Sequence, residues 1–226
     1  MRLFFKKNVF TYIIYFIISR RNFGKLPNSK NSFFFTGFPR SGNSYFTNLI
    51  KYCKPDLNFS SHLHTIASIK MALNKNVLVL VILRNPLDSI SSLYVMKNKL
   101  GQMNQLLLHS LLKEYIHYHE FLNKNRRDLN FISFEKATIN PNYFIQELKN
   151  VLPNFNFTDD DKTRMNHFIE GGFLKNKQKK MSSTHSTQFS STPNHKRNLL
   201  KKEITELLKQ DSSFSKTQQL YINLDR

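Results

Sequence analysis

A chain of 226 residues is long enough for one domain with a sizeable core and short for two full ones. Lys plus Arg outnumber Asp plus Glu by 34 to 15, a net of +19. That balance points to an anionic partner, whether nucleotide, sulfated or phosphorylated glycan, nucleic acid or membrane surface, against a general bias toward Lys and Asn. Cys53 is the one cysteine, which excludes an intrachain disulfide and a cysteine-rich zinc site.

The chain opens with an apolar run from Val9 to Ser19 between Lys6, Lys7 and Arg20, Arg21. As a helix it rises only about 16 Å, too short for a bilayer core of about 30 Å. Its length suits a signal peptide, but basic residues stand where a small-residue cleavage site is expected. Two readings stay open: a helix packed on the domain, or residues 1–21 lying on anionic lipid at the membrane surface. Residues 1–31 are taken as an N-terminal extension, and 32–226 as the α/β domain.

The stretch Phe33 to Tyr45 reads FFFTGFPRSGNSY. Three aromatics and Thr36 have strand preferences, and Gly37 is expected to let the backbone turn and end the strand. Asn43 and Ser44 are good helix N-caps before Tyr45, Phe46, Leu49 and Ile50 at helical spacing. A loop that delivers a helix N-terminus presents backbone N–H groups and a positive dipole end, a seat for an anionic oxygen cluster. The triphosphate-binding form, G-x-x-x-x-G-K-S/T, fits at Gly37, Gly42 and Ser44 but has Asn43 where its lysine belongs. The loop's one cation is Arg40.

Further on, Leu57 to His64 reads as a short strand carrying His62 and His64, and Thr65 to Asn74 as a helix. VLVLVIL from Val77 to Leu83 is apolar without alternation, as in a parallel strand buried on both faces. A helix follows from Pro86, then a long amphipathic one from Leu100 to Lys124 carrying His109, His117 and His119 as surface or pocket-wall residues. Leu129 to Phe134 is another strand, and Tyr143 to Val151 and Asp159 to Ile169 are helices. Gly171 to His195 has no periodicity and reads as an exposed loop; helices over 196–210 and 214–223 close the chain. Strands alternating with helices predict a three-layer α/β/α fold, P-loop NTPase-like, with a mainly parallel central sheet.

The second polar constellation follows the buried strand: Arg84, Asn85, Pro86, Asp88, Ser91 and Ser92. An arginine at the carboxyl end of a central parallel strand faces the crevice where α/β folds bind ligands. Ser92 lies about two helical turns on, so guanidinium and hydroxyl can share one phosphate. An ATPase carries an aspartate for magnesium at this strand end; here there is a cation.

Taken together, these stretches resemble the sulfotransferases that use 3′-phosphoadenosine 5′-phosphosulfate. GFPRSGNSY is similar to that family's 5′-phosphosulfate loop, P-K/R-S-G-T/N-T/S-W/Y, and RNPLDSISS to its 3′-phosphate motif, R-N/D-P-x-D-x-x-x-S. The resemblance implies that Arg40, Ser41, Gly42, Asn43 and Ser44 hold the 5′ phosphosulfate, with Tyr45 near the adenine. It implies that Arg84 and Ser92 hold the 3′ phosphate. A histidine general base stands about twenty residues before the motif arginine in the family; His62 ranks first, with His64 as its competitor. FISFEKATINP resembles the family's Tyr-Glu segment, with Phe134 at the tyrosine position, where a phenyl ring can pack on adenine. STPNHKRNLLKKEITELLK resembles its basic loop and would put Lys196 or Arg197 near the 3′ phosphate. The likeness covers residues 32 to about 95 well and 129 to 210 loosely.

The implied activity is transfer of a sulfuryl group to a hydroxyl acceptor, a small molecule or glycan, with no metal and no nucleic-acid partner, in a cytoplasmic setting. Sulfuryl transfer needs in-line placement and charge neutralisation more than covalent help. Arg40 suits the leaving phosphate oxygen, and a histidine near neutrality suits the acceptor's proton. The alternatives are a P-loop nucleotide kinase or NTPase, which predicts a lysine at position 43 and an acid at 84, and a basic nucleic-acid-binding protein, for which no recognised module is present.

Overall fold

The computed structural model describes residues 8–18, 26–98, 104–152, 156–172 and 195–225, with only the backbone at 15, 17, 18 and 195–198. Four strands form one sheet: β1 (Phe33–Gly37), β2 (Phe59–Ser61), β3 (Val79–Leu83) and β4 (Asn130–Ser133). They are ordered β2-β1-β3-β4 and pair in parallel throughout. Such pairing requires crossovers, and helices supply them: α1 (Val9–Ile18) precedes the sheet, α2 (Asn43–Cys53) links β1 to β2, and α3 (Ile66–Asn74) links β2 to β3. From β3 the chain runs through α4 (Pro86–Lys97) and α5 (Gln105–Lys124) to β4. After it come α6 (Phe134–Ile139), α7 (Pro141–Val151), α8 (Asp159–His167), α9 (His195–Gln210) and α10 (Phe214–Leu224).

The apolar runs in β1 and β3 serve two faces at once, because successive side chains point to opposite sides. Phe33, Phe35, Leu80 and Ile82 join Phe46, Leu49, Phe144 and Met165 in a core beneath α2, α7 and α8. Phe34, Val79, Val81 and Leu83 join Ile69, Leu93, Leu112, Ile204 and Phe214 in the opposite core, beneath α3, α4, α5, α9 and α10. The result is the predicted three-layer arrangement around a parallel sheet. Helix α1 sends Tyr12 and Phe16 into this second core, while Phe10 stays 71% exposed. No helix among the described residues is long and apolar enough to cross a membrane.

Several boundaries differ from expectation for local reasons. The predicted Leu57–His64 strand shrinks to three residues: only Phe59, Ser60 and Ser61 pair with β1, and His62 at φ 66° leaves the extended conformation. Helix α5 begins at Gln105 because the Asn104 side chain caps it, accepting from Leu107 N at 2.9 Å. Phe134, predicted to end β4, opens α6 instead. The Phe168–Gly172 turn ends the α8 segment with Gly171 at φ 98°, and residues 173–194 of the predicted loop lie outside the described ones. His119, expected at a surface or pocket wall, is a core residue 1% exposed, stacked on Tyr115 at 3.8 Å.

Candidate functional site

The strands deliver both polar motifs to their carboxyl edge. In the β1–α2 loop, Gly37 does not make the turn expected of it: it is the last residue of β1 and pairs with Ile82. Its missing side chain permits close approach, since a Cβ there would lie 2.5 Å from the Ile82 carbonyl oxygen. The reversal is made further on, by Arg40 at φ 72° and Gly42 at φ 86°. Gly42 is the residue before the helix, and a Cβ on it would sit 2.5 Å from the Phe134 ring.

Asn43, at the position of the missing lysine, turns inward. Its Nδ2 donates to the Phe38 carbonyl at 3.2 Å, and the side chain is 4% exposed. It braces the loop and leaves binding there to its backbone N–H. The first intrahelical bond of α2 runs from Phe46 N to the Gly42 carbonyl, so the N–H groups before it have no acceptor within the helix. Ser41 is buried with its N–H bonded to the Phe38 carbonyl at 3.1 Å, and Ser44 is exposed. Tyr45 is half-buried, edge-on to Phe46 and Phe168 at 5.0 and 5.4 Å.

The two motifs meet through Arg40. Its Nε donates to Ser92 Oγ in α4 at 3.0 Å, and its carbonyl accepts from Arg84 Nη1 at 2.8 Å. Arg84 stands just past β3 with its guanidinium carbon 4.2 Å from the Phe134 ring centroid. Phe134 thus links Gly42 to Arg84. Burial pulls the Arg84 guanidinium below its ordinary pKa, with the carboxylates of Asp88 and Glu135 acting the other way. Its Nε is buried and has no hydrogen-bond partner among the described residues. A buried cationic donor left unsatisfied is costly unless an acceptor from outside meets it.

The segment after β2 is stitched to the end of β1: Thr36 Oγ1 donates to the Leu63 carbonyl at 2.7 Å, and His64 Nδ1 donates to the Gly37 carbonyl at 3.0 Å. A carbonyl only accepts, so in the neutral ring Nε2 is the basic nitrogen of His64. His62 is exposed at the same sheet edge. His64 thus contacts the end of β1 directly, and His62 lies two residues before it.

Three further contacts go beyond what the sequence pattern showed. Asn85 caps α4, its side chain accepting from Leu87 N at 3.0 Å. Glu135 accepts from Asn85 N and from Tyr221 Oη, partners 50 and 86 residues away in the chain. Lys201 of α9 pairs with Asp88, so the basic C-terminal segment touches the Arg84–Ser92 stretch. It does so one helical turn beyond Lys196 and Arg197, whose side chains lie outside the described ones. The described residues contain no group of three or more His, Cys, Asp or Glu placed to hold a metal ion.

No known family profile matches the chain, and no curated protein matches it in sequence. Among solved structures it is similar to the mouse sulfotransferase SULT7A1 complexed with PAP. That likeness has a TM-score of 0.56 and covers 88% of this chain and 91% of that one, at 11% identity. The chain has the sulfotransferase fold, an α/β architecture on a parallel sheet.

Proposed function

We propose that the chain is a sulfotransferase that moves a sulfuryl group from 3′-phosphoadenosine 5′-phosphosulfate to a hydroxyl acceptor, a carbohydrate among the candidates. The observation that carries the reading is Arg84: a half-buried arginine at a central strand end whose Nε is buried and unsatisfied, backed onto the loop through Arg40. A helix-start loop and a strand-end arginine and serine joined through Arg40 suit a nucleotide phosphorylated at both 3′ and 5′ positions. The neighbouring fold's PAP complex supports the same choice.

In this reading the N–H groups from Gly42 to Tyr45 seat the 5′ phosphosulfate, with Ser41 and Ser44 beside them. Arg40 neutralises the leaving phosphate oxygen and holds it in line, which is most of what such a transfer requires. Arg84 and Ser92 receive the 3′ phosphate, with Lys196 and Arg197 as additional cations. Tyr45 and Phe134 are the aromatic neighbours for the base; one face of Phe134 is already covered by the Arg84 guanidinium. His62 takes the proton of the acceptor hydroxyl, a role contributing typically about 10²- to 10⁴-fold. His64 is its rival, with Nδ1–H held by the Gly37 carbonyl. Residues 32–226 form the catalytic domain, working in the cytoplasm; the N-terminal segment packs on it through Tyr12 and Phe16, and its exposed Phe10 is left for contact with a membrane surface.

The test is calorimetric titration with adenosine 3′,5′-bisphosphate beside ATP with and without magnesium. Tight bisphosphate binding and weak ATP binding are expected. Binding of magnesium-ATP with no bisphosphate binding would replace this reading with a kinase.

A further inference from the structure

The peptide group between Arg84 and Asn85 is pinned at both polar atoms by side chains. Its carbonyl oxygen accepts from Tyr115 Oη of α5 at 3.3 Å. Its N–H donates to Glu135 Oε1 at 2.9 Å. The other carboxylate oxygen of Glu135, Oε2, accepts from Tyr221 Oη of α10 at 3.0 Å. β3 has ended at Leu83, so no neighbouring strand satisfies this peptide, and its plane is set by α5, α6 and α10.

The orientation of that plane fixes the direction in which Arg84 leaves the backbone. Arg84 then has one fixed donor, Nη1 on the Arg40 carbonyl, and one unsatisfied buried donor, Nε. A carboxylate near an anion site opposes the anion's charge, so electrostatics alone would disfavour Glu135 at this place. Its two geometrically separate hydrogen bonds give it a different use.

We propose that Glu135 and Tyr221 are positioning residues for Arg84, so that the last helix, α10, sets the preference for a 3′-phosphorylated nucleotide over one lacking that phosphate. The inference rests on the donor-binding reading above and adds to it the residues that enforce it. Tyr221 holds the carboxylate, the carboxylate holds the Arg84–Asn85 peptide, and the peptide aims the guanidinium.

The experiment measures the affinities of adenosine 3′,5′-bisphosphate and adenosine 5′-monophosphate for the wild type, Tyr221→Phe, Glu135→Gln and Glu135→Ala, each checked for cooperative unfolding. Tyr221→Phe removes one hydroxyl and keeps every charge. It should lower the bisphosphate-to-monophosphate preference about three- to tenfold, less than the roughly ten- to hundredfold of a hydrogen bond made directly to a charged group because Tyr221 acts at one remove, with monophosphate affinity unchanged. Glu135→Ala should lower the preference further, and Glu135→Gln, which still accepts from Asn85 N, should recover part of it. An unchanged preference in a folded Tyr221→Phe protein overturns the inference, as does equal weakening of both nucleotides, the mark of a merely structural contact. Tyr221→Phe carries the test if Glu135→Ala does not fold. A wild type that does not prefer the bisphosphate overturns the donor-binding reading itself, a result separate from a preference that survives the substitutions.

Discussion

Gly42→Ala tests the loop geometry most sharply. Gly42 sits at φ 86°, where an alanine is strained by about 1–2 kcal/mol. The new Cβ would lie 2.5 Å from Cδ2 and Cε2 of Phe134, which must move. Forcing a methyl into such a contact costs about 1–3 kcal/mol, giving about 2–5 kcal/mol in all with the strain. Phe134 also carries the Arg84 guanidinium on its face, so displacing the ring loosens the arginine that meets the 3′ phosphate. Urea denaturation followed by circular dichroism measures the loss. The same substitution in a Phe134→Ala background should cost only the strain, because the ring that is struck is gone; the difference, about 1–3 kcal/mol, is the coupling between the two sites. A Gly42→Ala protein as stable as the wild type, or an equal penalty in both backgrounds, would refute the geometry.

Gly37→Ala should also destabilise, by opening the β1–β3 pairing where a Cβ meets the Ile82 carbonyl oxygen at 2.5 Å; an unchanged urea midpoint would contradict this. Arg84→Ala should weaken bisphosphate binding roughly ten- to hundredfold, the value of hydrogen bonds to a charged group, while unfolding stays cooperative. Titration with the nucleotide measures it, and wild-type affinity would remove Arg84 from the site. His62→Ala should lower turnover with donor affinity unchanged; equal turnover would transfer the base to His64. Burial lowers the His119 pKa from 6.5 to about 4, with the Tyr115 carbonyl contact acting the other way. The folded state keeps this ring neutral while the unfolded chain takes up a proton first, so stability is full above pH 6.5 and falls as pH drops toward about 4. The loss is about 3 kcal/mol at 1.36 kcal/mol per pKa unit. His119→Phe should flatten that acid slope in urea titrations at stepped pH, and an unaltered slope would show that the imidazole does not titrate as described.

The fold was legible where the physics is local. Continuous apolar runs in a chain alternating with amphipathic stretches announce buried parallel strands, and β1 and β3 lie where such runs occur. The two motif arginines were legible because each follows a strand, and the parallel sheet brings strand ends to one edge. Side-chain direction was not. Asn43 reads as a ligand-facing residue, yet the position it occupies points its amide at the Phe38 carbonyl. Gly37 reads as a turn glycine, and only the pairing with Ile82 shows that its role is to let two strands approach. His119 gives no sign of burial in a helix with polar residues on both sides of it. Glu135 and Tyr221 are joined by the packing of α10 against α5, a contact no periodicity in either segment records.

The central claim is that Arg84 and Ser92 receive a 3′ phosphate beside a loop that receives the 5′ group. A crystal structure of the chain with adenosine 3′,5′-bisphosphate bound addresses it directly. The account predicts a 3′-phosphate oxygen within hydrogen-bond distance of Arg84 Nε and of Ser92 Oγ, and the 5′ phosphate at the N–H groups that open α2. A nucleotide bound with its 3′ phosphate away from Arg84, or seated outside the β1–α2 loop, would contradict it.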